Sequence, residues 1–294
     1  MNGLTTRGRI AALGLAQVVL LAAAALSQEK KAATEGAAPK KVLKVENAEQ
    51  AAMRERIKAS LQRFQLATVG PPAVVLQPET VVQWDNNARA SKVGATVVFR
   101  GPERPEAVVC VFPFKGELWH EFSSLSRGLI TGELEGQVFW QPQQPGLVFQ
   151  ALANAPPPQA TASARLLQLK RMARRFQVKL LGWRDNDPQQ QQLRLQPRPI
   201  YRYQNPSGDT IDGAVFSFVS GVDPEAILLI EAVKTNGPRW EYAFARRTSG
   251  GLEGRLDAKV VWSTRRFPQM GNPAAINRGV VEELNVEEVK TEGP

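Results

Sequence analysis

The feature that most constrains this chain is that it contains one unit twice. Residues 76–111 set against 195–230, at a constant offset of 119, share ten of 36 positions without a gap. Leu76-Gln77-Pro78 returns as Leu195-Gln196-Pro197, Gly94-Ala95 as Gly213-Ala214, and Pro105-Glu106-Ala107 as Pro224-Glu225-Ala226, while Asn86 meets Asn205 and Phe99 meets Phe218. Small insertions then carry the register through Trp119 and Trp240, Phe122 and Phe244, and Gly132 and Gly254 to Trp140 and Trp262. The paired residues read first as structural. Glycine permits close backbone approach, proline suits a strand start, and a tryptophan buries a large apolar area.

Each unit opens with a helical pattern. Met53, Ile57, Leu61 and Phe64 recur at helical spacing in the first, and Leu166, Leu169, Ala173 and Phe176 follow the capping residue Thr161 in the second. Arg63-Phe64-Gln65 and Arg175-Phe176-Gln177 close the two helices. Short apolar runs between turn signals such as Gly101-Pro102 and Gly221-Val222-Asp223-Pro224 then read as antiparallel strands. The expected fold class is α+β with an internal duplication, each repeat being one amphipathic helix plus a curved antiparallel sheet of about five strands. The expected organisation is a signal peptide (1–27), a tether (28–47), repeat unit 1 (48–142), a Pro/Gln-rich linker (143–159), repeat unit 2 (160–266) and an acidic low-complexity tail (267–294).

Arg7 and Arg9 ahead of an apolar run, closed by Ala25-Leu26-Ser27, have the form of an export signal. The expected localisation is therefore exported, periplasmic or secreted; the alternative is an N-terminal membrane anchor, since a 17-residue apolar run is at the short end of the lengths that span a membrane. The formal charge is +9, and +7 once Arg7 and Arg9 are removed. A basic surface favours acidic partners without specifying a fold. With one cysteine the chain makes no internal disulfide, so its apolar cores must hold it together.

The residues with chemical potential are few. Cys110 lies in the apolar run 108–112, where a small buried hydrophobe is the plain reading, and His120 is the single histidine. No zinc-type ligand set, calcium loop, phosphate-cradling glycine loop or nucleophile elbow is present, so neither a metal nor a cofactor is expected. Glu135 and Asp257, and Glu106 and Glu225, are repeat-equivalent acids. Trp183 and Tyr242 lack aromatic counterparts in the other repeat and are the candidates for exposure and ligand stacking. Lys170, Arg171, Arg174 and Arg175 form the densest unduplicated cluster, on a helix face without an acid, and are the candidate anion-binding residues.

Asp212-Gly213-Ala214-Val215-Phe216-Ser217-Phe218-Val219, followed by Asp223-Pro224-Glu225 and an apolar strand to Glu231, resembles part of an uncharacterised family of exported bacterial proteins of unknown function. The resemblance spans about residues 76–262 and covers both repeats. It implies export, and it assigns no activity or site to any residue.

The favoured functional reading is an exported, noncatalytic binding or scaffold protein of the cell envelope. The alternative is an envelope hydrolase using carboxylates in the groove between the repeats. A pocket at the interface lined by unduplicated polar residues would favour the enzyme, and a flat basic surface the binder. The expected partners are an anionic envelope polymer or another envelope protein. The acidic tail is a candidate internal mask for the basic helix, and membrane contact is expected only with an uncleaved signal segment. If the signal is processed, the exported protein begins at Gln28. Intact-mass measurement on protein recovered from its envelope checks this, and a mass that includes residues 1–27 would establish the anchored form.

Overall fold

A computed structural model describes residues 48–86, 91–182, 190–205, 207–267 and 270–284. The expected signal segment and tether, Trp183, and the last acids of the tail lie outside the described residues. The first half runs α1 (Ala48–Leu61), β1 (Phe64–Thr68), β2 (Gln77–Asn86), β3 (Ser91–Arg100), β4 (Pro105–Phe114), β5 (Glu117–Ser124), β6 (Ile130–Leu134) and β7 (Gln137–Trp140). The linker contributes β8 (Gln150–Ala151). The second half runs α2 (Ala162–Ala173), β9 (Phe176–Gly182), β10 (Gln191–Gln192), β11 (Arg194–Leu195), β12 (Tyr201–Tyr203), β13 (Thr210–Ser220), β14 (Asp223–Val233), β15 (Arg239–Arg246), β16 (Gly251–Leu256) and β17 (Lys259–Thr264), and β18 (Asn277–Glu283) comes after it. No helix among the described residues is long and apolar enough to cross a membrane.

The expectation of one helix laid on one sheet in each repeat is overturned. Of the described residues 52% are strand and 12% helix, in two helices and several sheets. Each half makes a large antiparallel sheet, β2-β3-β4-β5 in the first and β13-β14-β15 with β11 and β12 in the second. Each also makes a small one, β1-β6-β7 and β10-β9-β16-β17. The small sheets escape a reading of the sequence because helix passes into strand almost without a break. The chain leaves α1 at Leu61 and α2 at Ala173, then enters β1 and β9 within a few residues. There burial alternates: Phe64 and Leu66 are buried around exposed Gln65, as are Phe176 and Val178 around exposed Gln177. A phenylalanine at that position satisfies a helical period and a strand period equally, so the helical pattern runs one turn too far.

The alternation also explains how the layers stack. On β3 and β4, Val97, Phe99, Ala107 and Val109 face a core shared with Ile57 and Leu61 of α1, Phe64, Ile130 and Trp140. On β13 and β14, Phe216, Phe218, Leu228 and Ile230 face an equivalent core with Leu169 and Met172 of α2, Phe176 and Leu252. The residues between them, Val98 and Val108 from one half and Val215, Ile227 and Leu229 from the other, meet in a third, central core. Both faces of each large sheet are therefore buried. That is why these antiparallel strands read as continuous apolar runs instead of alternating ones.

The edges of the large sheets are closed reciprocally. After the first half, the linker supplies β8 to the edge of β15 in the second. After the second half, β18 pairs along β5 in the first, from Asn277 opposite Ser123 to Glu283 opposite Glu117. Part of the expected low-complexity tail is thus a strand. Within the linker, Leu147 is buried in the central core.

Two duplicated glycines have a common cause. A Cβ on Gly213 would stand 2.3 Å from the Tyr203 ring, and one on Gly94 would stand 2.4 Å from the Trp84 indole. Each glycine seats the aromatic ring of the neighbouring strand directly on its backbone. Gly213→Ala or Gly94→Ala should cost about 1–3 kcal/mol in urea unfolding, as overpacking does, whereas Gly128→Ala, whose nearest contact would be 3.9 Å away, should be near neutral. Equal midpoints for all three variants would show that the rings are not held there.

Candidate functional site

The two halves meet through polar groups at the margins of the central core. Arg104, in the turn between β3 and β4, reaches into the second half and donates from Nε to Glu231 Oε1 at 2.9 Å and from Nη1 to Leu125 O at 2.9 Å. Tyr203 donates to the same Glu231 oxygen at 2.5 Å, and Arg127 joins Glu231 at 2.7 Å and Glu241 at 3.0 Å. Both guanidinium groups lie over the ring of Phe149. In the opposite sense, buried Arg247 of the second half donates from Nη1 to Glu121 O at 2.9 Å and to Ser123 Oγ at 2.6 Å. Such pairs are expensive to desolvate and worthwhile only when their geometry is right, so they fix how the halves dock.

Beside this seam a cleft of about 660 Å³ is lined by the end of β5, the linker, β15, β17 with the residues just beyond it, and the segment leading into β18. It is built from repeat-equivalent positions. Ser124 and Arg246, Gln143 and Arg265, and Gln144 and Arg266 all line it, each pair separated by the same 122 residues that relate Phe122 to Phe244. In each pair only the second half supplies an arginine. Among the described residues no carboxylate, cysteine or histidine lines the cleft.

Arg246 is 8% exposed. Its Nη2 donates to Thr264 Oγ1 at 2.6 Å, to Gly250 O at 3.3 Å and to Arg265 O. Its Nε is buried without an acceptor, and among the described residues no carboxylate pairs with it. Burial therefore lowers its pKa to about 10, with no opposing charge to hold it up. Arg265 and Arg266 are exposed at the cleft. Its apolar surface comes from Trp262, stacked on Phe244 at 5.0 Å and 11°, and from Val148 and Ile276, which are 77% and 37% exposed. The hydroxyl of Ser123 is already engaged. It accepts from Arg247 and from Asn277 Nδ2 at 2.7 Å and donates to Arg246 O at 3.1 Å, which leaves it no free lone pair or proton for nucleophilic work.

The structure places the sequence-predicted residues differently from one another. Lys170 and Arg174 line a hollow with Phe216, and Arg171 and Arg175 line another with Leu167. Arg175 is bound to Asp257 at 2.5 Å and to Ala153 O at 3.1 Å. Its counterpart Arg63 is likewise bound to Glu135 at 2.8 Å. The repeat-equivalent acids Glu135 and Asp257 therefore clamp hairpin turns, where both have positive φ. Glu106 and Glu225 stand at the starts of β4 and β14, Glu225 only 2% exposed. Tyr242 does line the cleft, but the expectation of exposure fails: it is 3% exposed, packs edgewise on Phe244 and donates to Gln150 Oε1 at 3.0 Å. Glu282 and Glu283, the described acids of the tail, belong to β18 on the first half. Cys110 is buried against Thr96, and burial pushes its thiol pKa up. Among the described residues no group of three or more His, Cys, Asp or Glu is placed to hold a metal ion.

Sequence reasoning missed Arg246, Arg265 and Arg266. The available signal was the absence of a basic counterpart in the first repeat, where Ser124, Gln143 and Gln144 stand; Arg175 of the α2 cluster, matched by Arg63, does not meet that rule. It also missed a buried relay. Ser60 Oγ donates to Glu282 Oε1 at 2.9 Å and lies 2.7 Å from His120 Nε2, which makes that nitrogen the donor to the hydroxyl. This is the wrong arrangement for a hydrolytic triad, because the carboxylate holds the serine proton instead of orienting the far side of the imidazole.

Burial lowers the His120 pKa to about 4, against the opposing attraction of Glu282. An unfolded histidine titrates near 6.5, so between those limits the unfolded chain binds a proton that the folded chain does not. Stability should therefore fall as pH drops from about 6.5 through about 4, by on the order of 3 kcal/mol. Urea titrations across that range on the protein and on His120→Gln check it. The variant should lose this part of the slope, and an unchanged slope would assign the acid sensitivity to the carboxylates.

In comparisons with family models, curated proteins and solved structures, nothing matched this chain.

Proposed function

We propose that this is an exported, noncatalytic binding protein of the cell envelope that takes its ligand in the cleft between its two halves. The observation that carries the proposal is the composition of that cleft: both halves line it, its volume of about 660 Å³ lies within the range of small-molecule sites, and its charged groups are arginines. A pocket at the interface lined by unduplicated polar residues was the mark expected of a hydrolase. Among the described residues the cleft holds arginines without a carboxylate, which supply neither the general acid nor the nucleophile that the hydrolase alternative requires. They suit an anionic partner, in keeping with the basic composition. The wider partner class we propose is an anionic envelope component, with the acidic tail as a candidate competitor for the basic helix.

The test uses Ala274→Trp, which places a large ring in the cleft from an exposed position. Envelope-derived small molecules should raise the melting temperature of the protein and quench its tryptophan fluorescence saturably, and the ligand should be recovered unchanged. Ala274→Trp should fold and lose that response. Recovery of cleaved ligand would replace binding with hydrolysis, and an undiminished response in the variant would place the site elsewhere.

A further inference from the structure

The cleft has a charge imbalance. Arg104 and Arg165 are each matched by an acid at 2.8 Å, Glu231 and Asp212, and buried Arg247, which has neutral acceptors, donates to the first half and does not line the cleft. Among the described residues Arg246 has only neutral acceptors, keeps a buried Nε–H unsatisfied, and shares the cleft with two further arginines. The ring of Phe267, 5.6 Å from its guanidinium carbon, covers one face without supplying charge. Close by, Val148 and Ile276 leave aliphatic surface exposed and Trp262 offers an indole already stacked on one side. Cationic and apolar groups are thus side by side in a space the size of one small molecule.

We infer that the cleft is a receptor for an amphiphilic organic anion, its carboxylate or phosphate head set among Arg246, Arg265 and Arg266 and its apolar body lying along Trp262, Val148 and Ile276. The inference rests on the reading of the cleft as a binding site and names the class of its ligand. An anionic head supplies the counter-charge that the described residues do not provide at the cleft, and a charge-assisted hydrogen bond to a guanidinium is about twice as strong as a neutral one. The apolar body covers surface that is otherwise left to water. Arg265 and Arg266, being exposed, draw the anion in and make its capture sensitive to salt.

Two fluorescent probes with the same aromatic body separate the contributions: 1-anilinonaphthalene-8-sulfonate, an anion, and N-phenyl-1-naphthylamine, which is neutral. The anion should bind one to one and at least about tenfold more tightly than the neutral probe, the difference expected of one good charged contact. Displacement by laurate, by dodecyl phosphate and by dodecanol then identifies the head group: both anions should compete, the alcohol should not, and the stronger anion names the head. The double variant Arg265→Glu, Arg266→Glu changes only exposed side chains and should fold normally while erasing the preference for the anion. Arg246→Lys should retain part of it. If Ala274→Trp abolishes binding of both probes but neither shows a charge preference, the cleft binds and the anion assignment is overturned. If neither probe binds, or if Ala274→Trp leaves both unaffected, the reading of the cleft as a binding site fails with it.

Discussion

Burial of both faces of the two large sheets is the constraint on which the rest of the structure depends. A sheet with one wet face can tolerate polar residues at every second position; β4 and β14 cannot, and runs such as 107–111 and 226–230 are apolar throughout. The outer face of each sheet must then be covered, and a helix of 14 or 12 residues is too small to do so alone. The strand just after each helix pairs back with the last hairpin of its half, and the small sheet so formed completes the cover. Phe64 and Phe176 lie where helix, small sheet and large sheet converge.

Face-to-face packing also leaves open edges at β5 and β15. Exposed edges invite pairing with other chains, and here the pairing is internal: the linker closes the second half and the C-terminal strand closes the first. Each half is completed by the segment that comes after the other. The buried pairs at Arg104 and Glu231, and the hydrogen bonds of Arg247 with the first half, add direction to what apolar contact alone would leave free to slide. A sheet surface of valine, leucine and isoleucine accepts many registers, but an arginine buried beyond the reach of water accepts one.

The cleft arises from the same geometry. Where two equivalent units meet, equivalent residues approach one another, so a cavity on the axis between them begins with matching walls. Where the first copy contributes a serine and two glutamines to the lining, the equivalent positions of the second contribute three arginines. The fold supplies the space, and the difference between the halves supplies the charge.

The duplication, its paired tryptophans and glycines, the two helices and most strands of the large sheets were legible in the sequence, because each depends on local periodicity or on residues a constant distance apart. The small sheets and the two exchanged strands were not. Phe64 and Phe176 fit both periods, while β8 and β18 are short or polar segments made into strands by the edges they meet. At the site, Tyr242 lacks an aromatic counterpart, which suggests exposure, yet it is buried in the core of the second half and contributes only a small surface to the cleft. The basic helix stands out by charge density, which is visible in one dimension, whereas Arg246 stands apart from Arg265 and Arg266 along the chain. The sequence by itself determined that the unit occurs twice and which residues each copy buries. Tertiary structure alone decided which faces of the two copies meet, and so which arginines stand, among the described residues, without an acid, because a charge lacks a partner only in relation to everything folded around it.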